Sequence, residues 1–77
     1  MEANFVTAIL FEYLEDSELF QILERKVEKE VVLKSGMRIV VAKDSNDTFW
    51  VKVFPVGFAH PKCYRIAAEH MIKGRTL

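Results

Sequence analysis

Two runs of β-branched and aromatic residues, Met37 to Lys43 and Thr48 to Phe54, flank the tetrapeptide Asp44-Ser45-Asn46-Asp47. Asp, Asn and Ser side chains bond to nearby backbone and tolerate the tight angles of a chain reversal, so the segment reads as a β-hairpin. A lone hairpin is marginal in water and needs further elements laid against one face. With 77 residues, 51% of them hydrophobic and only five Gly plus Pro, the chain has the apolar content to provide that cover within one domain, residues 1–77. The same figures exclude a disordered linker and a two-lobed enzyme with a cleft between its lobes.

Outside the hairpin, Asn4 to Leu14 would place Phe5, Thr7, Ile9, Phe11 and Tyr13 on one side of an extended chain and Val6, Ala8 and Leu10 on the other. Apolar residues on both sides fit a strand buried on two faces, and a short buried helix has the same apolar character. Beyond Asp16, the residues Leu19, Ile22, Leu23, Val27 and Val31 recur at helical spacing, with Ser17 placed to cap the helix and Glu18 in its first turn. His60-Pro61 opens a second helix with proline near its first position, and Gly74 after Lys73 closes it. The expected fold is α+β, a small βαββα domain with a β-hairpin and two helices on one face of the sheet.

No internal repeat or Ser/Gly linker divides the chain. The apolar stretch Phe5 to Phe11 is shorter than the roughly 20 residues a bilayer needs, and acids rather than the basic residues of a signal peptide surround it. No membrane is expected as a partner. With one cysteine and no internal disulfide, the cytoplasm is the expected location.

A four-residue turn sets Lys43 opposite Thr48, Val41 opposite Trp50, Ile39 opposite Lys52 and Met37 opposite Phe54. Arg38, Val40, Ala42, Phe49, Val51 and Val53 then share the other face. Two short helices cover only one face, which leaves Met37, Ile39, Val41, Trp50, Lys52 and Phe54 as an open patch, and an open apolar patch marks a partner. The expected function is a small non-catalytic protein–protein interaction module or regulator, its partner another protein or a second copy in a homodimer. In size, and in size alone, it is analogous to the small effector proteins of phages.

Charge is segregated along the chain. Residues 1–24 hold six acids and no Lys or Arg, while residues 25–77 hold eleven Lys and Arg against five acids, so −6 is followed by +6 and the net charge is zero. Arg38, Lys52, Lys62, Arg65, Lys73 and Arg75, with Trp50 and Tyr64 among them, are the residues that a nucleic-acid-binding alternative would use. A pI near 6.7 speaks against it, because dedicated nucleic-acid-binding domains usually lie above about pI 9.

A single cysteine leaves no zinc site built on two thiolates of this chain. Gly36-Met37-Arg38-Ile39 followed by His60-Pro61-Lys62-Cys63-Tyr64 resembles the second half of a treble-clef zinc finger of the poly(ADP-ribose) polymerase or LIM-like type, over roughly Ser35 to Ile66. The resemblance implies zinc ligation by His60 and Cys63 and contact with nucleic acid or protein. That family's Cys-x-x-Cys knuckle is missing upstream, and His70 lies about 10.5 Å beyond Cys63 along the expected helix, too far for both to hold one ion. No metal and no cofactor is expected. Cys63 near the start of a helix has the placement of an activated thiol, but no oriented base, oxyanion site or phosphate loop accompanies it. Neither catalysis nor a small-molecule substrate is indicated.

Overall fold

The structure, a computed structural model, describes residues 2–45 and 47–71. The class is α+β, with two helices followed by a four-stranded antiparallel sheet of order β1-β2-β3-β4. The α+β class, the hairpin and a pair of helices against one sheet face stand as expected, but only α2 of the two helices falls where a helix was read. The chain order does not, since both helices precede all four strands.

Helix α1 (Glu2–Tyr13) occupies the segment read as the first strand. Val6, Leu10 and Leu14 form its buried side, and a spacing of four residues belongs to one face of a helix, not of a strand. Run length decides the contest, because 12 residues exceed the usual strand of about five or six but make about three helical turns.

Helix α2 (Asp16–Arg25) starts ahead of Ser17 and stops well short of Val31. Glu15, not Ser17, is its N-cap, and the Glu15 backbone N–H donates to Glu18 Oε1 at 2.9 Å within a capping box. At the other end Lys26 adopts a left-handed conformation with φ 58°, and its N–H reaches Ile22 O at 3.0 Å. That cap ends the helix. Val31, read as a helical position, instead joins β1 (Lys29–Val32) and is buried from the sheet, where β-branched side chains fit the pleat.

The expected hairpin consists of β2 (Arg38–Ser45) and β3 (Thr48–Phe54). The reversal between β1 and β2 depends on Gly36 at φ +96°, whose N–H donates to Leu33 O at 2.9 Å. A Cβ on Gly36 would lie 3.3 Å from Val56 Cγ2, so the 55–61 loop packs against this turn.

Strand β4 (Lys62–Ala67) stands where the last helix was expected. Tyr64 and Ile66 face the core while Cys63 and Arg65 face away, a period of two. As a strand the segment satisfies the second edge of β3, whose backbone a helix would leave unpaired. A 3-10 turn, Ala68–His70, follows and is tied down by the Ala68 N–H on Asp47 O at 2.7 Å. Lys73 and Gly74, expected to close a helix, lie outside the described residues.

The core lies between the helices and one sheet face. Leu10, Leu19 and Ile22 from the helices meet Ile39, Val41, Phe49, Val51 and Ile66 from the sheet, all fully or almost fully buried. Along β3 the alternation is strict, with Phe49, Val51 and Val53 buried and Trp50, Lys52 and Phe54 half-buried on the opposite face. No helix or strand among the described residues covers that opposite face. No described helix is long and apolar enough to cross a membrane.

Candidate interaction surface

The register assembles the uncovered face row by row. Glu30, Val40, Lys52 and Cys63 are neighbours across all four strands. One row above lie Val32, Arg38 and Phe54, and one row below lie Ala42, Trp50 and Arg65. The Arg38 guanidinium stacks 4.5 Å from the Phe54 ring centroid and pairs with Glu30 Oε2 at 2.5 Å. Arg65 stacks 4.9 Å from the Trp50 centroid and reaches Asp44 Oδ2 at 3.4 Å. Two acid–arginine–aromatic stacks therefore flank a central row. In that row Lys52 has no ion-pair partner among the described residues.

The six residues read as one patch are divided by the sheet. Trp50, Lys52 and Phe54 stand on the uncovered face as expected. Ile39 and Val41 point the other way and have no exposed surface, and Met37 packs partly buried against the core. The cause is the register: Trp50 pairs with Ala42 and Lys52 with Val40, one residue away from the expected pairing, with an irregularity between Lys43 and Ser45. A slip of one residue exchanges the two faces of a strand. Arg38, Val40 and Ala42 are the β2 residues that join Trp50, Lys52 and Phe54.

Of the cations considered for nucleic acid, Arg38, Lys52 and Arg65 share this face. Lys62 pairs with Val53 and so belongs to the helix-side register at the sheet's end, while Lys73 and Arg75 lie outside the described residues. Two of the three outer cations are already matched by carboxylates and laid over the rings on which bases would stack.

His60 lies in the 55–61 loop and Cys63 on β4, exposed, so the helical turn expected to carry both is replaced by a strand and offers Cys63 no helix dipole. His70 is exposed next to Glu69. Among the described residues no group of three or more His, Cys, Asp and Glu could hold a metal ion.

The face continues past the strand ends. Val32 is 58% exposed, Val56 60% and Phe58 73%, and the packing of Val56 on the Gly36 turn brings the 55–61 loop to the Val32–Phe54 end of the sheet. Sequence reading treated Pro55 and Gly57 only as the end of the hairpin and left out these loop residues, as it left out Val32, Val40 and Cys63. The available signal was the run Val-Gly-Phe-Ala, apolar where a loop is ordinarily polar.

No family model, curated protein or solved structure matches this chain.

Proposed function

We propose that the chain is a small non-catalytic protein-binding module that docks through its outer sheet face on a protein partner. That partner brings apolar side chains to the Val40 row and a carboxylate to Lys52. The observation that carries this reading is the pre-ordered state of the face: two capped aromatic rings with their charges matched, and between them Lys52, which has no ion-pair partner among the described residues. Trp and Arg are the side chains that most often dominate protein interfaces. A stacked guanidinium keeps spare N–H donors for the carbonyls of a partner, so protein docking displaces nothing. Nucleic acid would ask for bare rings and unneutralised cations, and here it would have to break both stacks first. An exposed, unpaired Cys63 suits a reducing compartment, the cytoplasm.

The test is capture from the source cell with the wild-type chain and Val40→Glu as baits. The substitution puts a carboxylate into the central row without touching the core. The expected result is a protein retained by the wild type and depleted about tenfold or more with the variant. Nucleic acid retained in its place, and released as salt rises, would move the function to the other class. Equal retention by both baits would refute docking through this face.

A further inference from the structure

Helix α1 is apolar on two sides. Val6, Leu10 and Leu14 face the core and Ile9 packs partly buried against it, while Phe5 (54% exposed), Ala8 and Tyr13 (46% exposed) form an exposed stripe, with exposed Glu12 among them. An apolar side of a helix is ordinarily packed against something, and among the described residues no element covers this stripe. The outer sheet face, on the opposite side of the domain, is likewise covered by no helix or strand among the described residues, its two rings being capped only by Arg38 and Arg65.

The two surfaces carry opposite charges, Glu12 on the helix stripe and Lys52 on the sheet face. Residues 1–24, which hold both helices up to Glu24, contain six acids and no Lys or Arg. On the sheet face Arg38 and Arg65 are matched by Glu30 and Asp44, and among the described residues Lys52 has no ion-pair partner. An apolar helix stripe carrying Glu12, laid on the sheet face that presents Lys52, repeats the helix-on-sheet packing that builds the core.

Building on the docking role of the outer face, we infer that its occupant is α1 of a second copy of this chain, with Glu12 meeting Lys52. Because helix stripe and sheet face lie on opposite sides, the contact is heterologous. Each copy offers its helix to one neighbour and its sheet to another, and the assembly extends as a stack or closes as a ring. Two-fold alternatives are opposed by charge. Paired α1 stripes bring Glu12 toward Glu12, and paired outer faces centred on the middle row set Lys52 against Lys52.

Sedimentation velocity on the full chain tests this with four samples: wild type, Lys52→Glu, Glu12→Lys, and an equimolar mixture of the two variants. Wild type is expected to rise with concentration past twice its 8.9 kDa monomer mass and to fall back as salt is added. Each variant alone carries one sign on both surfaces and should associate at least about tenfold more weakly. The mixture should reassemble, because each variant complements the other. Circular dichroism checks the fold, and if a reversal unfolds the chain, Lys52→Gln and Glu12→Gln must still each weaken association. A wild type that is monomeric throughout, a mass that stops at dimer, or a mixture that stays monomeric overturns the inference. A monomeric wild type that captures another protein, and loses it with Val40→Glu, overturns the second copy as occupant and leaves the docking face intact.

Discussion

Arg65 lies across Trp50, its Cζ 4.9 Å from the ring centroid, and carries its Nε on to Asp44 Oδ2 at 3.4 Å. One side chain thereby links β4, β3 and β2 across the uncovered face. The Arg38, Phe54 and Glu30 stack does the same work between β1, β2 and β3. Exposed ion pairs contribute about 0–1 kcal/mol and exposed cation–π stacks about 0.5–1 kcal/mol. These groups therefore order the surface more than they hold the fold.

Arg65→Ala should accordingly lower stability by about 1 kcal/mol or less and shift Trp50 emission to longer wavelength as the ring gains water. Urea denaturation followed by fluorescence measures both. A loss of more than about 3 kcal/mol would place Trp50 in the core instead.

The register makes neighbouring residues of β2 behave oppositely. Val40→Glu adds a carboxylate to an open face and should leave circular dichroism unchanged, at a cost of about 1 kcal/mol. Val41 has no exposed surface, and Val41→Glu should unfold the chain, because an unpaired buried carboxylate costs several kcal/mol. The reverse ranking would restore the pairing of Val41 with Trp50.

How far residues alone could be read follows from the same elements. The hairpin was legible because Asp44, Ser45 and Asp47 carry turn chemistry and β3 alternates strictly. The register was not, since the irregularity between Lys43 and Ser45 absorbs a residue that turn length alone does not reveal. Helix α1 was obscured by being apolar on two sides, which leaves periodicity little contrast to detect. Pro61 serves equally before a strand and inside a first helical turn, so β4 was missed, and with it the place of Cys63 and Arg65 on the outer face. The Glu30–Arg38 pair was out of reach once Val31 had been assigned to a helix, because only β1 brings Glu30 beside β2.

Gly36 and Gly57 both have positive φ, but of the two only Gly36 would also press an added Cβ on a neighbour, Val56 Cγ2 at 3.3 Å. Gly57→Ala should cost about 1 kcal/mol from backbone strain alone, and Gly36→Ala about 2 kcal/mol from strain plus the contact with Val56. Paired denaturation midpoints give the ordering, and equal losses would mean that Val56 yields freely.

Lys26 holds the left-handed cap of α2 without being glycine. Lys26→Gly should therefore stabilise the chain by about 0.5–1 kcal/mol, read as a rise in melting temperature. A fall would show that the Lys26 side chain contributes more than its backbone strain costs.

The docking face can be probed from within, because Cys63 is the chain's sole cysteine and lies exposed in the central row. A photoreactive maleimide attached there and irradiated in extract of the source cell should form adducts with protein, a second copy of the chain included. Excess unlabelled wild type should suppress these adducts, and excess Val40→Glu should not. Adducts with nucleic acid alone, or protein adducts that both competitors suppress equally, would contradict a protein-docking role for the outer sheet face.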